Sequence, residues 1–194
     1  MRAVVVYESM YGNTHAIANC IAEGLRDKAC DVTVVPVGQA TDELLAHPDL
    51  LVVGGPTHVH TLPRPSTRKA AAEAAAKPGS GLSLEPGAVG PGLREWLYEL
   101  RPGDGAVAAA FDTRMDGPTL FTGQASHGIA QRLRRHGYRV LSPVQSFTVS
   151  KQNVLDPAQA ERARTWGAAL AFSAGPYRRA LPKAARSGSR SFRP

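Results

Sequence analysis

The chain has 194 residues, of which 43% are hydrophobic, so it is long enough for one globular domain that buries a core without disulfides or structural metals. Two cysteines make no disulfide framework, and we expect Cys20 and Cys30 to stay reduced. The first apolar run is too short for a signal peptide, and no stretch reaches the length of a membrane span. These features predict a soluble, cytoplasmic protein.

The formal net charge of +7 is concentrated at the C-terminus. Residues 175–194 contain six Lys or Arg and no acidic residue, and the rest of the chain has 17 basic and 16 acidic residues, a balance of +1. The charge therefore gives no reason to expect a specific nucleic-acid site in the body. We predict a domain over residues 1–174 and a basic, mobile tail over residues 175–194 that either contacts acidic partners or only aids solubility.

Strand and helix patterns alternate along the chain, which indicates an α/β fold with right-handed crossovers. The predicted strands cover residues 3–7, 31–37, 50–53, 106–111 and 139–149, with Pro36 at an edge or strand end and a break or bulge near Pro143. The predicted helices cover residues 14–25, 41–47, 66–77, 92–100, 124–136 and 156–172, with N-caps at Thr41 or Asp42, at Ser66 and at Asp156. Residues 77–92 form a Gly/Pro/Ser-rich connection.

A short loop of small polar residues lies between the first strand and the first helix. It consists of Ser9, Met10, Tyr11, Gly12, Asn13 and Thr14. Because the unpaired N–H groups and the positive dipole end of the helix point at the loop, this pattern predicts an anion site, most simply for a phosphate. The sequence has neither Gly-x-x-x-x-Gly-Lys-Ser/Thr nor Gly-x-Gly-x-x-Gly. An uncharged loop suits a phosphomonoester, and the alternative is an ordinary connection without a ligand.

The same six residues resemble the phosphate loop of the flavodoxin-like family, which binds the phosphate of FMN. The usual family pattern is Ser/Thr-x-Thr-Gly-x-Thr, and Tyr11 replaces the middle Thr here. The Ser-Met-Tyr-Gly form is similar to that of quinone-reductase-type and flavo-diiron-type members. The resemblance extends over about residues 1–173. It implies a doubly wound, five-stranded parallel sheet of order 2-1-3-4-5, with helices on both faces and the ligand at the switch point between the first and third strands.

Two further loops match the family's walls around the flavin ring. After the third strand, Gly55-Pro56-Thr57 matches the loop that lies along the ring, and after the fourth strand residues 112–121 supply the opposite wall. The resemblance thus implies ring contacts from Pro56, Thr57, His58, Val59 and His60 on one side and from Asp112, Thr113 and Arg114 on the other. Arg114 either lies near the pyrimidine side of the ring or pairs with Asp112 or Asp116.

The ring end of this expected site has fewer aromatic residues than its relatives. Many flavodoxins hold the ring between a Trp and a Tyr, whereas only Phe121, His58 or His60 could stack on it here. His58 and His60 are two residues apart and would point the same way in an extended loop. They lack a carboxylate or cysteine at ligand spacing, so we predict no metal. Their open roles are contact with the flavin, proton delivery, or simple exposure to water.

Two functions are compatible with the sequence. The first is an FMN-dependent oxidoreductase or electron carrier, with no catalytic residue assigned. Carriers of this family are usually strongly acidic, so a body charge of +1 favours reduction of a small molecule such as a quinone by a nicotinamide donor, although no nicotinamide motif is present. The second is a non-catalytic binding or regulatory module that has lost the cofactor.

Overall fold

The computed structural model describes residues 1–177. The strands are β1 (Arg2–Tyr7), β2 (Asp31–Pro36), β3 (Leu50–Pro56), β4 (Val107–Met115), β5 (Arg139–Val140) and β6 (Gln145–Val149). The helices are α1 (Asn13–Arg26), α2 (Pro65–Ala75), α3 (Leu93–Glu99), α4 (Thr119–Thr122), α5 (Ala125–Arg135) and α6 (Pro157–Ala174). Single 3-10 turns follow β2 at Val37–Gln39 and α6 at Gly175–Tyr177.

All strand pairs are parallel, and the order β2-β1-β3-β4-β5 confirms the predicted doubly wound sheet, with β2 at an edge. The predicted fifth strand is broken near Pro143, as expected, but the strand count needs a correction: two separate strands occupy this position, so the sheet has six strands within residues 1–177 and not five. β5 pairs with Val107 and Ala108 of β4, and β6 pairs with residues 111–115. The interruption includes Pro143, which has no N–H to donate to a ladder.

The sheet is covered on both faces. On one face, α1 and α6 pack together over a core that contains Ile17, Ile21, Phe111, Phe147 and Leu170. On the other face, α3 and α5 bury Leu93, Leu97, Ile129 and Leu133, together with Leu62. Continuous burial of β1 and β3 on both faces explains why their sequences are uninterrupted apolar runs.

Two predicted helical features are wrong. Residues 41–47 form a turn instead of a helix: the Thr41 carbonyl accepts from the Leu45 N–H at 3.1 Å, and His47 takes a φ of 57° before Pro48. Proline disfavours the helical conformation in the residue before it, which ends any helix at this point. The second error concerns α2, which is preceded by Arg64 and not by Ser66. Pro65 occupies its first position, and the Arg64 N–H donates to the Thr67 hydroxyl.

β3 and β4 run further than predicted. Their pairing continues to Pro56 and Thr113, and β6 supports β4 as far as Met115. Pro56, Asp112, Thr113 and Arg114 are therefore strand residues and not loop residues. This geometry fixes their backbones rigidly at the carboxyl edge of the sheet.

The predicted tail begins at residue 175. Residues 175–177 continue α6 as a 3-10 turn, in which the Tyr177 ring lies 4.8 Å from the guanidinium carbon of Arg139. The remainder of the predicted tail, 178–194, lies outside the described residues. Within residues 1–177, no helix combines the length and apolarity needed to cross a bilayer.

Candidate functional site

The carboxyl ends of β1, β3 and β4 surround a cleft of about 190 Å³. Ten predicted binding residues line it: Ser9, Met10, Tyr11, Asn13, Thr14, Pro56, Thr57, His58, Thr113 and Arg114. Gly12, Val59, His60 and Asp112 lie outside this lining. Met115, at the end of β4 and within the predicted wall of residues 112–121, also lines the cleft. Sequence reasoning missed two lining residues, Val149 and Asn153, because they reach the cleft only through the position of β6 and the loop after it.

The first loop turns sharply at Gly12, which precedes α1 with a φ of 93°. A side chain would be strained in this left-handed conformation, even though the space around its position is open. Gly12 supplies no side-chain cap, and the first turn of α1 has no acidic residue. The first N–H groups of the helix, those of Asn13, Thr14 and His15, therefore have no intrahelical acceptor and are available to an anion.

The polar side chains of this loop are fixed by partners distant in sequence. The Thr14 and Thr113 hydroxyls are buried and 2.7 Å apart. The Asn13 amide nitrogen donates to the backbone carbonyl and the side-chain oxygen of Asn153, at 3.0 and 2.8 Å. The Tyr11 hydroxyl donates to the Ala71 carbonyl on α2 at 2.7 Å. The loop is thus held in shape by β4, by α2 and by the segment after β6.

The loop after β3 is a tight two-residue turn. The His58 N–H donates to the Thr61 carbonyl at 2.7 Å, and the Thr61 N–H donates to the His58 carbonyl at 3.1 Å. Val59 and His60 occupy the turn with φ values of 46° and 67°, the conformation of a type I′ turn that normally takes Asn or Gly. The expectation of an extended loop, with His58 and His60 side by side, is wrong. His58 lines the cleft, and Val59 and His60 form an exposed tip.

This turn is attached to the chain that follows β4. The Ala125 N–H donates to the Thr57 hydroxyl at 3.0 Å, and His60 forms a β-bridge with Gly123. A Cβ on Gly123 would lie 2.1 Å from the His60 Cα, so only glycine permits this approach. The loop after β3 is therefore in direct contact with the residues that follow the second predicted wall.

Asp112 and Arg114 have different roles in this wall. Asp112 is fully buried beneath the cleft and accepts from the Ser126 N–H at 2.7 Å and the Ser146 hydroxyl at 2.5 Å. Burial raises the pKa of Asp112. Arg114 lines the cleft and donates to the Ser146 hydroxyl at 3.0 Å and the Gly117 carbonyl at 2.7 Å. Within the described chain, the ion pairs of Arg114 with Asp112 or Asp116 are not formed.

Comparisons with known proteins agree with this architecture. The family model described as Flavodoxin matches residues 5–81. A flavodoxin from the domain Archaea has 22% identity and a TM-score of 0.64, with 90% of this chain and 99% of that chain covered. The chain has a flavodoxin-like fold. No curated protein matches its sequence.

Two further solved structures share the fold. The flavodoxin, WrbA-like protein from Agrobacterium tumefaciens is 19% identical, with 91% of this chain and 99% of that chain covered and a TM-score of 0.59. The Flv1 flavodiiron core from Synechocystis sp. PCC6803 is 16% identical, with 91% of this chain and 36% of that chain covered and a TM-score of 0.60. At these identities the likeness concerns the fold alone.

A buried charge network links Glu8, the residue after β1, to α2 and α3. Glu8 and Arg68 are each 4% exposed. The second carboxylate oxygen of Glu8 accepts from the Leu93 N–H at 2.8 Å, and its first lies 3.8 Å from the Arg68 guanidinium, which also contacts the Glu95 carboxylate at 3.0 Å. Burial raises the pKa of Glu8, whereas burial and the charge of Arg68 lower the pKa of His58. Glu8, an acidic residue directly after an apolar strand, was the one sequence feature that could have indicated this network.

The 77–92 connection supports the first loop from behind. The Glu85 N–H donates to the Met10 carbonyl at 2.9 Å, and the Glu85 carboxylate lies 2.7 Å from Nδ1 of His15. The His15 ring stacks on Tyr7 at 4.6 Å. These contacts are not visible in the sequence, because nothing in the composition of the connection indicates which element it covers.

Two other features of residues 1–177 bear on the chemistry. No group of three or more His, Cys, Asp or Glu residues is arranged to hold a metal ion in this part of the chain, and neither Cys20 nor Cys30 takes part in a disulfide bond within it. A larger cavity, of about 620 Å³, lies at the opposite end of the sheet, where residues 40–48 meet residues 99–106. It shares no residue with the cleft, so size alone does not locate the site.

Proposed function

We propose that this flavodoxin-like protein binds FMN and transfers electrons to or from a redox partner. The observation that carries the proposal is the uncapped N-terminus of α1, which opens into a cleft at the carboxyl ends of β1, β3 and β4. Flavodoxins bind FMN, and the family model includes the first loop and the loop after β3. When bound, FMN supplies the redox chemistry, and the protein supplies binding, orientation and electrostatics.

The residues of the cleft suit the phosphate end of FMN. The backbone N–H groups of residues 13–15 and the helix dipole favour a negative group. The Ser9 hydroxyl accepts from the Gly12 N–H at 3.1 Å, so its own proton remains available to a ligand oxygen. The first loop contains no Lys or Arg. A phosphate would thus be held mainly by hydrogen bonds, as predicted for a phosphomonoester.

The volume of the cleft limits how much of the cofactor is enclosed. At about 190 Å³, it is smaller than the roughly 300 Å³ at which pockets for whole cofactors begin. We infer that the cleft encloses the phosphate end and leaves the ring at its mouth, beside His58, Arg114 and Met115. The guanidinium of Arg114 would favour negative charge there, and the lowered pKa of His58 keeps its imidazole neutral at physiological pH.

A flavin titration tests the proposal. Quenching of FMN fluorescence by the purified protein should saturate, and FMN should bind at least about tenfold more tightly than riboflavin, because a charged phosphate adds several charge-assisted hydrogen bonds. Equal affinity for the two flavins would show that the first loop does not bind the phosphate. If neither FMN nor riboflavin binds, the result would favour a non-catalytic module. The main support for that alternative is the absence of Trp from the residues that line the described cleft.

A more specific activity is the reduction of a quinone-like molecule by a nicotinamide donor. A body charge of +1 outside the tail and a ring exposed at a small cleft both suit a small neutral acceptor. Oxidation of NADH or NADPH in the presence of a benzoquinone should then depend on added FMN. If the protein binds FMN but does not accelerate this reaction, it is an electron carrier and not a quinone reductase.

A further inference from the structure

Three arginines and a tyrosine form a patch on α3, on α5 and at the residue before α2. Arg64 and Tyr98 are exposed, and Arg94 and Arg132 are half-buried. Arg94 donates to the carbonyls of Leu62 and Pro63, at 2.6 and 3.1 Å, which places it against Arg64, the next residue in the chain. Tyr98 follows Arg94 by one helical turn and is 70% exposed. The Arg132 guanidinium carbon on α5 lies 5.8 Å from the Tyr98 ring centroid. We call Arg64, Arg94, Tyr98 and Arg132 the arginine patch.

The patch concentrates positive charge in a body that is almost neutral. Within residues 1–177, none of its three arginines forms an ion pair, and the neighbouring Glu95 is engaged with Arg68 at 3.0 Å. Burial, and then the charges of Arg132 and Arg64, lower the pKa of Arg94. Like charges held this close create a local positive potential that a partner of opposite charge relieves.

The patch is continuous with exposed apolar residues at the mouth of the cleft. Arg94 also donates to the Thr61 hydroxyl at 3.3 Å, and Thr61 closes the turn whose tip is Val59. Val59 is 76% exposed, and Leu120 and Phe121 on α4 are 80% and 73% exposed. The bridge between His60 and Gly123 keeps this tip beside the end of α4. An apolar area with an adjacent cluster of Arg and Tyr has the composition of a protein interface.

We propose that the arginine patch and the exposed apolar residues Val59, Leu120 and Phe121 form the docking surface for an acidic redox protein. The acidic character of the partner follows from charge complementarity, and only its redox nature rests on the proposed function. A second copy docked symmetrically would bring the same arginines together. Two nitrogens of the Arg94 guanidinium already donate to the 61–63 segment, so the patch presents a field rather than a free bidentate clamp for a nucleotide phosphate.

The experiment measures binding of a plant-type [2Fe–2S] ferredoxin, as an acidic probe, by calorimetry at low and at physiological ionic strength. The double variant Arg64→Gln/Arg132→Gln should weaken binding about tenfold and reduce its salt dependence, because two interfacial charges are lost. The control Lys28→Gln/Lys77→Gln removes the same charge at exposed positions outside the patch and should change the affinity less than about twofold. Cytochrome c, a basic probe, should not bind.

Three results would overturn the proposal. Equal losses in the patch and control variants would show that only net charge matters. If the patch variant loses affinity for NADPH while its ferredoxin binding is unchanged, the patch is a nucleotide site. Self-association that the patch variant abolishes, seen by analytical ultracentrifugation, would make it a contact between copies. Ferredoxin binding is measured with and without FMN. A protein that binds ferredoxin but not FMN would support the docking surface and contradict the proposed function, and a protein that binds FMN but not ferredoxin would do the reverse.

Discussion

At the residue scale, two threonines join the first loop to the wall opposite it. Thr14 and Thr113 are 99 residues apart in sequence, and their buried hydroxyls form a hydrogen bond of 2.7 Å. One hydroxyl donates in this pair, so the other keeps its proton for a different acceptor. Thr14 lies in the first turn of α1 and therefore adjoins the expected phosphate position, whereas Thr113 belongs to β4. The pair allows a structural role to be separated from a binding role.

We predict that Thr14→Val weakens FMN binding more than riboflavin binding, because the lost hydroxyl serves the phosphate. Thr113→Val is the matched control, since it removes the same hydrogen bond from the other side. Each variant leaves one buried hydroxyl without its partner and should lower the free energy of unfolding by about 1–3 kcal/mol. Chemical denaturation and the two flavin titrations measure these effects. The same FMN-to-riboflavin ratio in both variants would assign Thr14 to structure alone.

His58 should make the stability of the apoprotein depend on pH. Burial and the charge of Arg68 hold the pKa of His58 below its ordinary value, so the unfolded chain binds the proton more tightly than the folded protein. Its stabilising contribution is therefore present above the ordinary histidine pKa and is lost as pH falls through the lowered folded value. Glu8 and Asp112, whose pKa values are raised, make stability depend on pH in the opposite direction. The contribution of His58 is therefore measured as the difference in stability between wild type and a His58 variant.

We expect the stability of wild type relative to His58→Gln to fall as pH decreases from neutral to about 5, a range that includes the ordinary histidine pKa. The measurement is urea denaturation at several pH values. His127→Gln, which alters an exposed histidine on α5, is the control variant. A pH-independent difference for His58→Gln would mean that neither burial nor the charge of Arg68 lowers the pKa of this imidazole.

At the element scale, α1 and α6 are in contact through two glycines. A Cβ on Gly24 would lie 1.9 Å from the Arg164 carbonyl oxygen, and one on Gly167 would lie 2.1 Å from the Ile21 carbonyl oxygen. Both obstacles are backbone atoms, so the helices would have to move apart to accept a methyl group. Because α1 also carries the first loop, its position on α6 determines where the loop lies relative to β4.

Gly24→Ala should therefore lower the free energy of unfolding by at least about 2 kcal/mol, despite the better helix propensity of alanine. Gly128→Ala on α5 is the matched control. Its Cβ would lie 3.3 Å from the flexible end of the Arg132 side chain, and the variant should gain up to about 1 kcal/mol from propensity. Thermal and denaturant unfolding measure both changes. A neutral Gly24→Ala would show that α1 can shift on α6 without cost.

The elements that could be predicted from the sequence are those with strong local patterns. β1 and α1 are a buried apolar run followed by a helical period of 3.6, so both were located to within one residue. The carboxyl ends of β3 and β4 could not be, because Asp112 and Arg114 are polar and their strand pairing depends on residues 145–149, a distant segment. The turn at Val59 and His60 could not be predicted either, since it contains neither Asn nor Gly, the residues that such a turn usually has.

At the scale of the whole molecule, the candidate site is assembled from distant segments. The first loop was predicted because its residues are consecutive. Its supports, Glu85 and Asn153, were not, because a hydrogen bond across 140 residues leaves no periodic pattern. The cleft residues extend only as far as Asn153, and six of the basic residues that give the chain its net charge of +7 follow residue 177. Removing the basic residues after residue 177 should therefore change the net charge without changing cofactor binding.

Deletion of residues 178–194 tests this separation. FMN affinity should stay within about twofold of the full chain, because the deletion removes none of the residues that line the described cleft. Ferredoxin should bind the truncated chain somewhat less tightly, since the net charge falls from +7 to +1. The about tenfold loss caused by Arg64→Gln/Arg132→Gln should persist in the truncated chain, because it arises from the arginine patch. If truncation abolishes that loss, the acidic partner is recognised by the C-terminal residues; if it weakens FMN binding strongly, those residues belong to the cofactor site.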